Sequence, residues 1–252
     1  MKTALITGAN KGIGFEVAKQ LLQNDYYVFL GSRNEKLGNE AVEKLKSEGF
    51  NNVEAIQIDV TDDTSVNNAR IELGEKMETL DVLINNSGIN GIEFNVETPI
   101  MHTSTDTDVN KFKEVFEVNV FGVIRTTQAF LDLMKKSTEP RIVNVSSSQG
   151  SLTLHSDPNF IHYKHKGVVY QSSKAALNMF TLVLAYELRE LPFKVNAVSP
   201  GSTKTDFNKM LGQGSVADAA KRVVKYATIN NDGPTGKFFA EDMNPETGEI
   251  PW

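Results

Sequence analysis

The feature that most constrains this sequence is a regular alternation of short apolar runs with longer segments of helical periodicity. The apolar runs predict β-strands at Ala4–Thr7, Tyr26–Leu30, Val53–Ile58, Val82–Asn85, Arg141–Ser146, Val195–Val198 and Lys237–Ala240. The periodic segments predict helices at Gly14–Leu22, Lys36–Ser47, Ser65–Met77, Asn110–Met134, Ser172–Glu190 and Ser215–Ala227. Apolar strands joined by helices indicate an α/β fold, with a doubly wound, mostly parallel sheet and helices on both faces.

Composition and charge limit the classes of protein that fit. The 252 residues contain no linker-like, low-complexity or repeated segment, so we expect a single domain over residues 1–252. Cysteine is absent, which excludes disulfides, thiolate metal sites and a cysteine nucleophile. The net charge of −6 argues against a general binder of nucleic acid or anionic membranes. No apolar stretch has the length of a signal peptide's core or a membrane span, so a cytoplasmic protein without membrane contact is expected.

The first predicted strand runs into a glycine-rich turn that precedes a helix. In a doubly wound sheet, ligands bind outside the carboxyl ends of the strands. Glycines there allow a tight turn and close approach of a pyrophosphate, which the helix N-terminus attracts. A kinase-type phosphate loop is excluded, because Ile13-Gly14-Phe15 stands where Gly-Lys-Ser/Thr is needed. We therefore predict a Rossmann-type dinucleotide-binding turn formed by Gly8, Asn10, Lys11, Gly12, Ile13 and Gly14.

The end of the second strand bears on the choice between NAD and NADP. An acidic residue there would repel a 2′-phosphate, and none occurs before Glu35. Arg33 can pair with a phosphate bidentately, Ser32 can donate to it, and Lys11 adds a second cation. The sequence therefore favours NADP(H). The alternative is that Arg33 is only a solvated charge at a strand end.

A tyrosine and a lysine four residues apart are candidates for proton transfer. Tyr170 and Lys174 share one face of a predicted helix. A phenol with a pKa of about 10 needs help near neutral pH, which a neighbouring ammonium supplies. The pair alone is common by chance, but Ser147 follows a strand at the same edge of the sheet.

The motifs taken together resemble those of short-chain dehydrogenases/reductases. The resemblance covers Met1 to about Asp206. It rests on the glycine turn and, in order, on Asn85-Asn86-Ser87-Gly88, Asn119, Ser147, Tyr170-x-x-x-Lys174 and Pro200-Gly201. Lys11, Arg33 and the segment Gly233–Phe239 look like the NADPH-dependent carbonyl reductases of that family.

The resemblance implies a role for each matching residue. Tyr170 would be the general acid and Ser147 would hydrogen-bond the carbonyl oxygen. Lys174 would lower the pKa of Tyr170 and bind the nicotinamide ribose, and Asn119 would hold a water that links Lys174 to solvent. Because Ser146, Ser147 and Ser148 are consecutive, the choice of Ser147 rests on its distance from Gly150. The implied cofactor contacts are Asp59, Val60, Asn86, Gly88, Tyr170, Lys174, Pro200, Gly201, Thr203 and Thr205.

The function that this resemblance implies is NADPH-dependent reduction of a small-molecule ketone or aldehyde to an alcohol. One alternative is a dedicated biosynthetic ketoreductase acting on a carrier-bound acyl group or a sugar. Another is a non-catalytic NADP(H)-sensing regulator, since fold does not fix function. His155, His162 and His165 have no fourth ligand at a fixed spacing, so no metal site is predicted.

The segment Ser148–Val169 is longer than in many members of that family. Its apolar side chains suit a substrate pocket or a cover for the helix that follows. That helix is apolar nearly all round over Ala175–Leu188, so some of its surface needs a cover. We expect the segment to fold back over this helix, which favours a monomer over a homo-dimer or tetramer.

Overall fold

The computed structural model of the chain describes residues 1–91, 93–95, 98–100 and 102–252. Its main sheet has the strand order β3-β2-β1-β4-β7-β8-β9, and all neighbouring strands are parallel. A separate antiparallel pair joins β5 to β6. The strands are β1 (Thr3–Ile6), β2 (Tyr27–Ser32), β3 (Val53–Gln57), β4 (Val82–Asn85), β5 (Glu93–Asn95), β6 (Thr98–Ile100), β7 (Arg141–Val145), β8 (Lys194–Val198) and β9 (Phe238–Phe239).

Helices cover both faces of the main sheet, as predicted. They are α1 (Gly12–Gln23), α2 (Glu35–Ser47), α3 (Asp63–Lys76), α4 (Val109–Phe116), α5 (Gly122–Met134), α6 (Leu152–Ser156), α7 (Val168–Glu187) and α8 (Val216–Ala227). One apolar core packs α1, α2 and α8 against the sheet, and a second packs α3, α5 and α7 against it. This is the doubly wound α/β fold that the alternating pattern predicts, and it is confirmed.

The long helix predicted at Asn110–Met134 is interrupted. A π-helical turn at Glu117–Phe121 separates α4 from α5, and the fully buried Asn119 lies within it. A π turn inserts one extra residue per hydrogen-bonded ring, which rotates the side chains that follow it. Apolar spacing alone does not reveal such a turn.

The segment Ser148–Val169 contacts the first part of α7, where Gln149 and the His165 carbonyl accept hydrogen bonds from Gln171, but it leaves the apolar outer face of α7 exposed, so the expected cover is only partial. It forms α6 and a series of turns that pack against the last residues of the chain. The Ser151 hydroxyl donates to the Pro251 carbonyl (2.7 Å), and the Thr153 N–H donates to the Trp252 carbonyl (3.0 Å). The apolar side chains of α7 that stay exposed are Met179, Leu182, Val183 and Tyr186. Within the described residues, no helix combines the length and apolarity needed to span a membrane.

Candidate active site

The backbone conformation and the close packing of the turn after β1 explain why it contains glycines. Gly8 and Gly12 have φ of +62° and +59°, the left-handed region that other residues rarely adopt. At Gly14, an added Cβ would lie 2.5 Å from Nδ2 of Asn86 and 2.7 Å from the Gly8 carbonyl oxygen. The Asn86 side chain donates to the carbonyls of Thr7 (2.9 Å) and Gly8 (3.0 Å). Asn86 therefore holds the turn, and Gly14 leaves room for it.

Helix α1 begins directly after this turn, next to the ligand edge of the sheet. Lys11 is its N-cap residue, and no side chain caps the helix. The first N–H groups and the positive end of the helix dipole therefore suit an anion. The Lys11 ammonium itself forms an exposed ion pair with Asp206 (2.8 Å), so in this structure it is engaged by a carboxylate.

The end of β2 carries two of the residues predicted to meet a 2′-phosphate. Arg33 is exposed, and its guanidinium makes no hydrogen bond or ion pair with the residues that the structure describes. Ser32 is buried, and its hydroxyl donates to the Asn34 carbonyl (2.8 Å). As arranged here, Arg33 can reach an anionic ligand, whereas Ser32 shapes the strand end.

The turn after β3 is held by hydrogen bonds around Asp59 and Val60. One carboxylate oxygen of Asp59 accepts from the N–H (3.0 Å) and the hydroxyl (2.7 Å) of Thr61. The Val60 carbonyl accepts from the Arg125 guanidinium (2.6 Å). The turn is fixed at the same sheet edge as the glycine turn, where an adenine contact is expected.

Tyr170 and Lys174 lie in the first part of α7, at the carboxyl end of β7. The Lys174 side chain is buried, with Nζ donating to the Val145 carbonyl (2.8 Å) and lying 5.7 Å from the centre of the Tyr170 ring. Burial lowers the pKa of Lys174 to about 8. Burial also raises the pKa of Tyr170 to about 12, against the opposing effect of a hydrogen bond from Ser147. The sequence predicts that Lys174 lowers the pKa of Tyr170. In the structure Ser147 is the residue that lowers this pKa, and the opposite effect of burial is larger.

The three consecutive serines point in different directions. Ser147 lies just after β7; its hydroxyl oxygen accepts from the Gln149 N–H (3.2 Å), and the side chain is close enough to Tyr170 to lower the pKa of the phenol. Ser146 is buried and donates to Oδ1 of Asn178 (2.6 Å). Ser148 is buried in the short 3-10 turn that follows. Of the three, Ser147 is the one that affects the pKa of the Tyr170 phenol.

Asn119 uses its side chain to join three segments. Its Oδ1 accepts from the Ile89 N–H (2.9 Å), and its Nδ2 donates to the Ile89 carbonyl (2.8 Å) and to Oγ of Ser173 (3.0 Å). A Cβ on Gly88 would lie 3.3 Å from Oδ1 of Asn119 and 3.8 Å from Nζ of Lys174. Both amide hydrogens of Asn119 and one acceptor site of its Oδ1 are therefore used by protein groups.

The segment after β8 closes over the site as a loop whose ends meet. Gly201, with φ of +84°, follows Pro200, and the bridge between Thr203 and Gly214 closes the neck of the loop. The Lys204 N–H donates to the Gly214 carbonyl (3.1 Å) and the Gly214 N–H to the Ser202 carbonyl (2.8 Å). We call residues 203–214 the 203–214 loop. Thr203 and Thr205, predicted to contact the cofactor, belong to it.

Three contacts of the 203–214 loop were not predicted from the sequence. The Asn90 side-chain amide donates to the Phe207 carbonyl, and the Phe207 ring packs edge-on against Tyr170 with centroids 5.8 Å apart. Asp206 forms the ion pair with Lys11. Aromatic and acidic loop residues have no readable periodicity, so no sequence signal identifies these contacts.

His155, His162 and His165 are the histidines for which the sequence predicts no metal site. In the structure the three rings stack edge to face with one another or with Phe160. Among the described residues, no group of three or more histidine, aspartate or glutamate side chains is arranged to hold a metal ion.

A protonated phenol beside a turn that suits a pyrophosphate is typical of oxidoreductases that use a nicotinamide dinucleotide. The family model for the short chain dehydrogenase matches residues 2–215, and the chain belongs to the short-chain dehydrogenase/reductase family. It is 34% identical to (-)-isopiperitenone reductase of Mentha piperita, over 95% of this chain and 96% of that protein.

Solved structures give the same result. Salutaridine reductase from Papaver somniferum superposes with a TM-score of 0.82 at 30% identity, over 94% of this chain and 99% of that one. The NADPH-bound carbonyl reductase from chicken fatty liver has a TM-score of 0.82 at 27% identity, over 100% of this chain and 99% of that one. The fold and the family predicted from the motifs are confirmed.

Proposed function

We propose that the protein is an NADPH-dependent reductase that converts a ketone or aldehyde to an alcohol. The observation that carries the proposal is the grouping of three side chains: the buried Lys174 lies 5.7 Å from the centre of the Tyr170 ring, and Ser147 is close enough to lower the pKa of that phenol. The relatives named isopiperitenone reductase and salutaridine reductase support it. A regulator that only senses the cofactor has no need of this proton-donating group.

The residues at the sheet edge fit NADP(H). The uncapped start of α1 offers N–H groups to a pyrophosphate, and Gly12 has only Cγ2 of Thr205 (3.8 Å) near the place of an added Cβ. The exposed Arg33 supplies a cation for the 2′-phosphate. Asp59 follows β3 at the same sheet edge, and Gly88 lies near Nζ of Lys174. Bound NADPH supplies the hydride.

The chain's own residues supply the proton and bind the substrate oxygen. Tyr170, with a pKa of about 12, is protonated at neutral pH, as a general acid in reduction must be. Ser147 holds the carbonyl oxygen next to this phenol and stabilises the negative charge that develops on it. Lys174 keeps most of its charge at pH 7, with a pKa of about 8, and stabilises the phenolate that remains.

Several broader expectations belong to the same proposal. We propose that residues 1–252 act as one NADP-binding domain, in the cytoplasm, on a small-molecule carbonyl substrate. The two apolar cores share one continuous sheet, which supports the single domain.

The test is an NADPH-oxidation assay with four substrate classes: cyclic ketones, aliphatic aldehydes, quinones and acyl thioesters. We expect turnover with a ketone or aldehyde, and a loss on the order of 10²–10⁴-fold in Tyr170→Phe, which still binds NADPH. Turnover confined to acyl thioesters would favour the carrier-bound ketoreductase. Binding of NADPH without turnover of any class would favour the regulator.

A further inference from the structure

Two glutamines stand next to the catalytic serine and tyrosine in the sequence. Gln149 follows Ser147 by two residues, and Gln171 directly follows Tyr170. In the structure Nε2 of Gln171 donates to Oε1 of Gln149 (2.8 Å). Both side chains are partly buried. The first turn of α7 is therefore tied to the turn after β7 by a side-chain hydrogen bond beside the reacting groups.

This hydrogen bond links the two residues that flank the catalytic pair. The Gln149 N–H donates to Oγ of Ser147 (3.2 Å), and Ser147 lies close enough to Tyr170 to lower the pKa of its phenol. Tyr170 continues through one peptide bond to Gln171, whose amide returns to Gln149. Other hydrogen bonds join β7 and its turn to later residues of α7, from Lys174 to the Val145 carbonyl (2.8 Å) and from Ser146 to Asn178 (2.6 Å). The bond between Gln149 and Gln171 adds a connection next to Tyr170 itself.

Gln171 is itself held in place by its other hydrogen bonds. Its Nε2 also donates to the His165 carbonyl (2.7 Å), and its Oε1 accepts from the N–H of Gly167 (3.2 Å), the N-cap residue of α7. These two partners restrict the Gln171 amide, so the bond to Gln149 forms with little further loss of side-chain entropy. Gln149 is the partner that can be changed without disturbing the start of α7.

We infer that Gln149 and Gln171 are a positioning pair that sets the geometry of Ser147 and Tyr170 for proton transfer, an inference that rests on the proposed reductase function. The pair acts through the serine and the tyrosine. A misplacement of reacting groups by about 1 Å costs on the order of 10²-fold in rate, so a modest change in this bond is measurable.

The test compares two substitutions at one position. Gln149→Leu removes the acceptor of the Gln171 amide but keeps the backbone N–H that donates to Ser147. We expect kcat to fall about 10–100-fold with the Kd for NADPH unchanged. Gln149→Glu keeps an acceptor oxygen and should recover most of kcat. Gln128→Leu, on the exposed side of α5, controls for the general effect of replacing glutamine with leucine on stability.

A purely structural role would lower the thermal midpoint of Gln149→Leu without a selective loss of kcat, and that result overturns the inference. So does a Glu variant as impaired as the Leu variant. If Gln149→Leu does not fold, Gln149→Ala removes the same acceptor without a branched side chain.

A readout independent of turnover separates this inference from the proposed function. If the unmodified protein reduces no carbonyl compound, the proposed function fails, but a crystal structure of the Leu variant still measures the positioning. We expect a longer distance between Oγ of Ser147 and Oη of Tyr170, and an unchanged distance overturns the inference.

Discussion

At the residue scale, burial acts in the same sense on Tyr170 and Lys174, because it favours the neutral form of each. Tyr170 keeps its proton throughout the physiological range, since its pKa is about 12. Lys174, with a pKa of about 8, loses its charge at a pH that an enzyme assay can reach. The two residues are therefore distinguishable by titration.

We expect kcat for carbonyl reduction to fall as pH rises through about 8, because a neutral Lys174 no longer stabilises the phenolate. Its pKa lies below the 10.5 of an exposed lysine. Between the two values the unfolded chain binds more protons than the folded one, so this group makes the free energy of unfolding rise with pH. Initial rates at saturating NADPH measure the effect. A rate that stays constant up to about pH 10 would contradict it.

The serine run gives a second prediction at this scale. Ser147→Ala should lower kcat by about 10²–10³-fold, as removal of an oxyanion donor does, with little change in stability. Ser146→Ala breaks the buried hydrogen bond to Asn178 (2.6 Å) and should cost about 1–3 kcal/mol in the free energy of unfolding, while Tyr170 keeps its partner. Urea unfolding and initial rates separate the two effects. A larger loss of kcat in Ser146→Ala would mean that the catalytic serine is misassigned.

At the scale of secondary-structure elements, the sequence predicts those elements whose burial or backbone conformation is fixed by nearby residues. The strands of the main sheet are apolar on both faces, so the sequence predicts them. The glycine turn was also predicted, because its conformation itself requires Gly8, Gly12 and Gly14. The π turn around Asn119 was not, because it depends on a contact with Ile89, far away in the sequence. The β5–β6 pair and α6 are too short for a periodic signal, and α6 depends on the last residues of the chain.

The 203–214 loop gives a prediction for an element. Phe207 packs on the ring of Tyr170, so it borders the space where a carbonyl substrate must lie. We expect Phe207→Ala to raise the KM of the carbonyl substrate about fivefold and to leave the Kd of NADPH within about twofold, since loss of an aromatic contact is worth about 1 kcal/mol. Phe207→Leu, which keeps apolar bulk, should lie between. A larger effect on NADPH binding would assign the residue to the cofactor instead.

At the scale of the whole molecule, the sheet is covered on both faces, but α7 is not covered on its outer side. Met179, Val183 and Tyr186 remain exposed there because the segment Ser148–Val169 contacts α7 only near its start, around Gln171 and Lys174. Scattered exposed apolar residues are normal on soluble proteins. The monomer expected from the sequence therefore stays a proposal, without the cover that first motivated it.

Light scattering at several protein concentrations tests the oligomeric state. We expect the mass of one chain, 27.8 kDa, throughout. The control is Val183→Glu, which should behave identically if the face is solvated. A dimer that dissociates in this variant would show instead that α7 is the surface through which two copies associate.

The closed neck of the 203–214 loop has an evolutionary consequence. Because Thr203 and Gly214 meet, the loop leaves the scaffold and returns to it at one place. An insertion or replacement between them therefore adds only a small loop-closure entropy and leaves the strands undisturbed. Changes of sequence within the loop therefore alter the side of the site that Phe207 borders, while Ser147, Tyr170 and Lys174 keep the strand end and the helix that hold them.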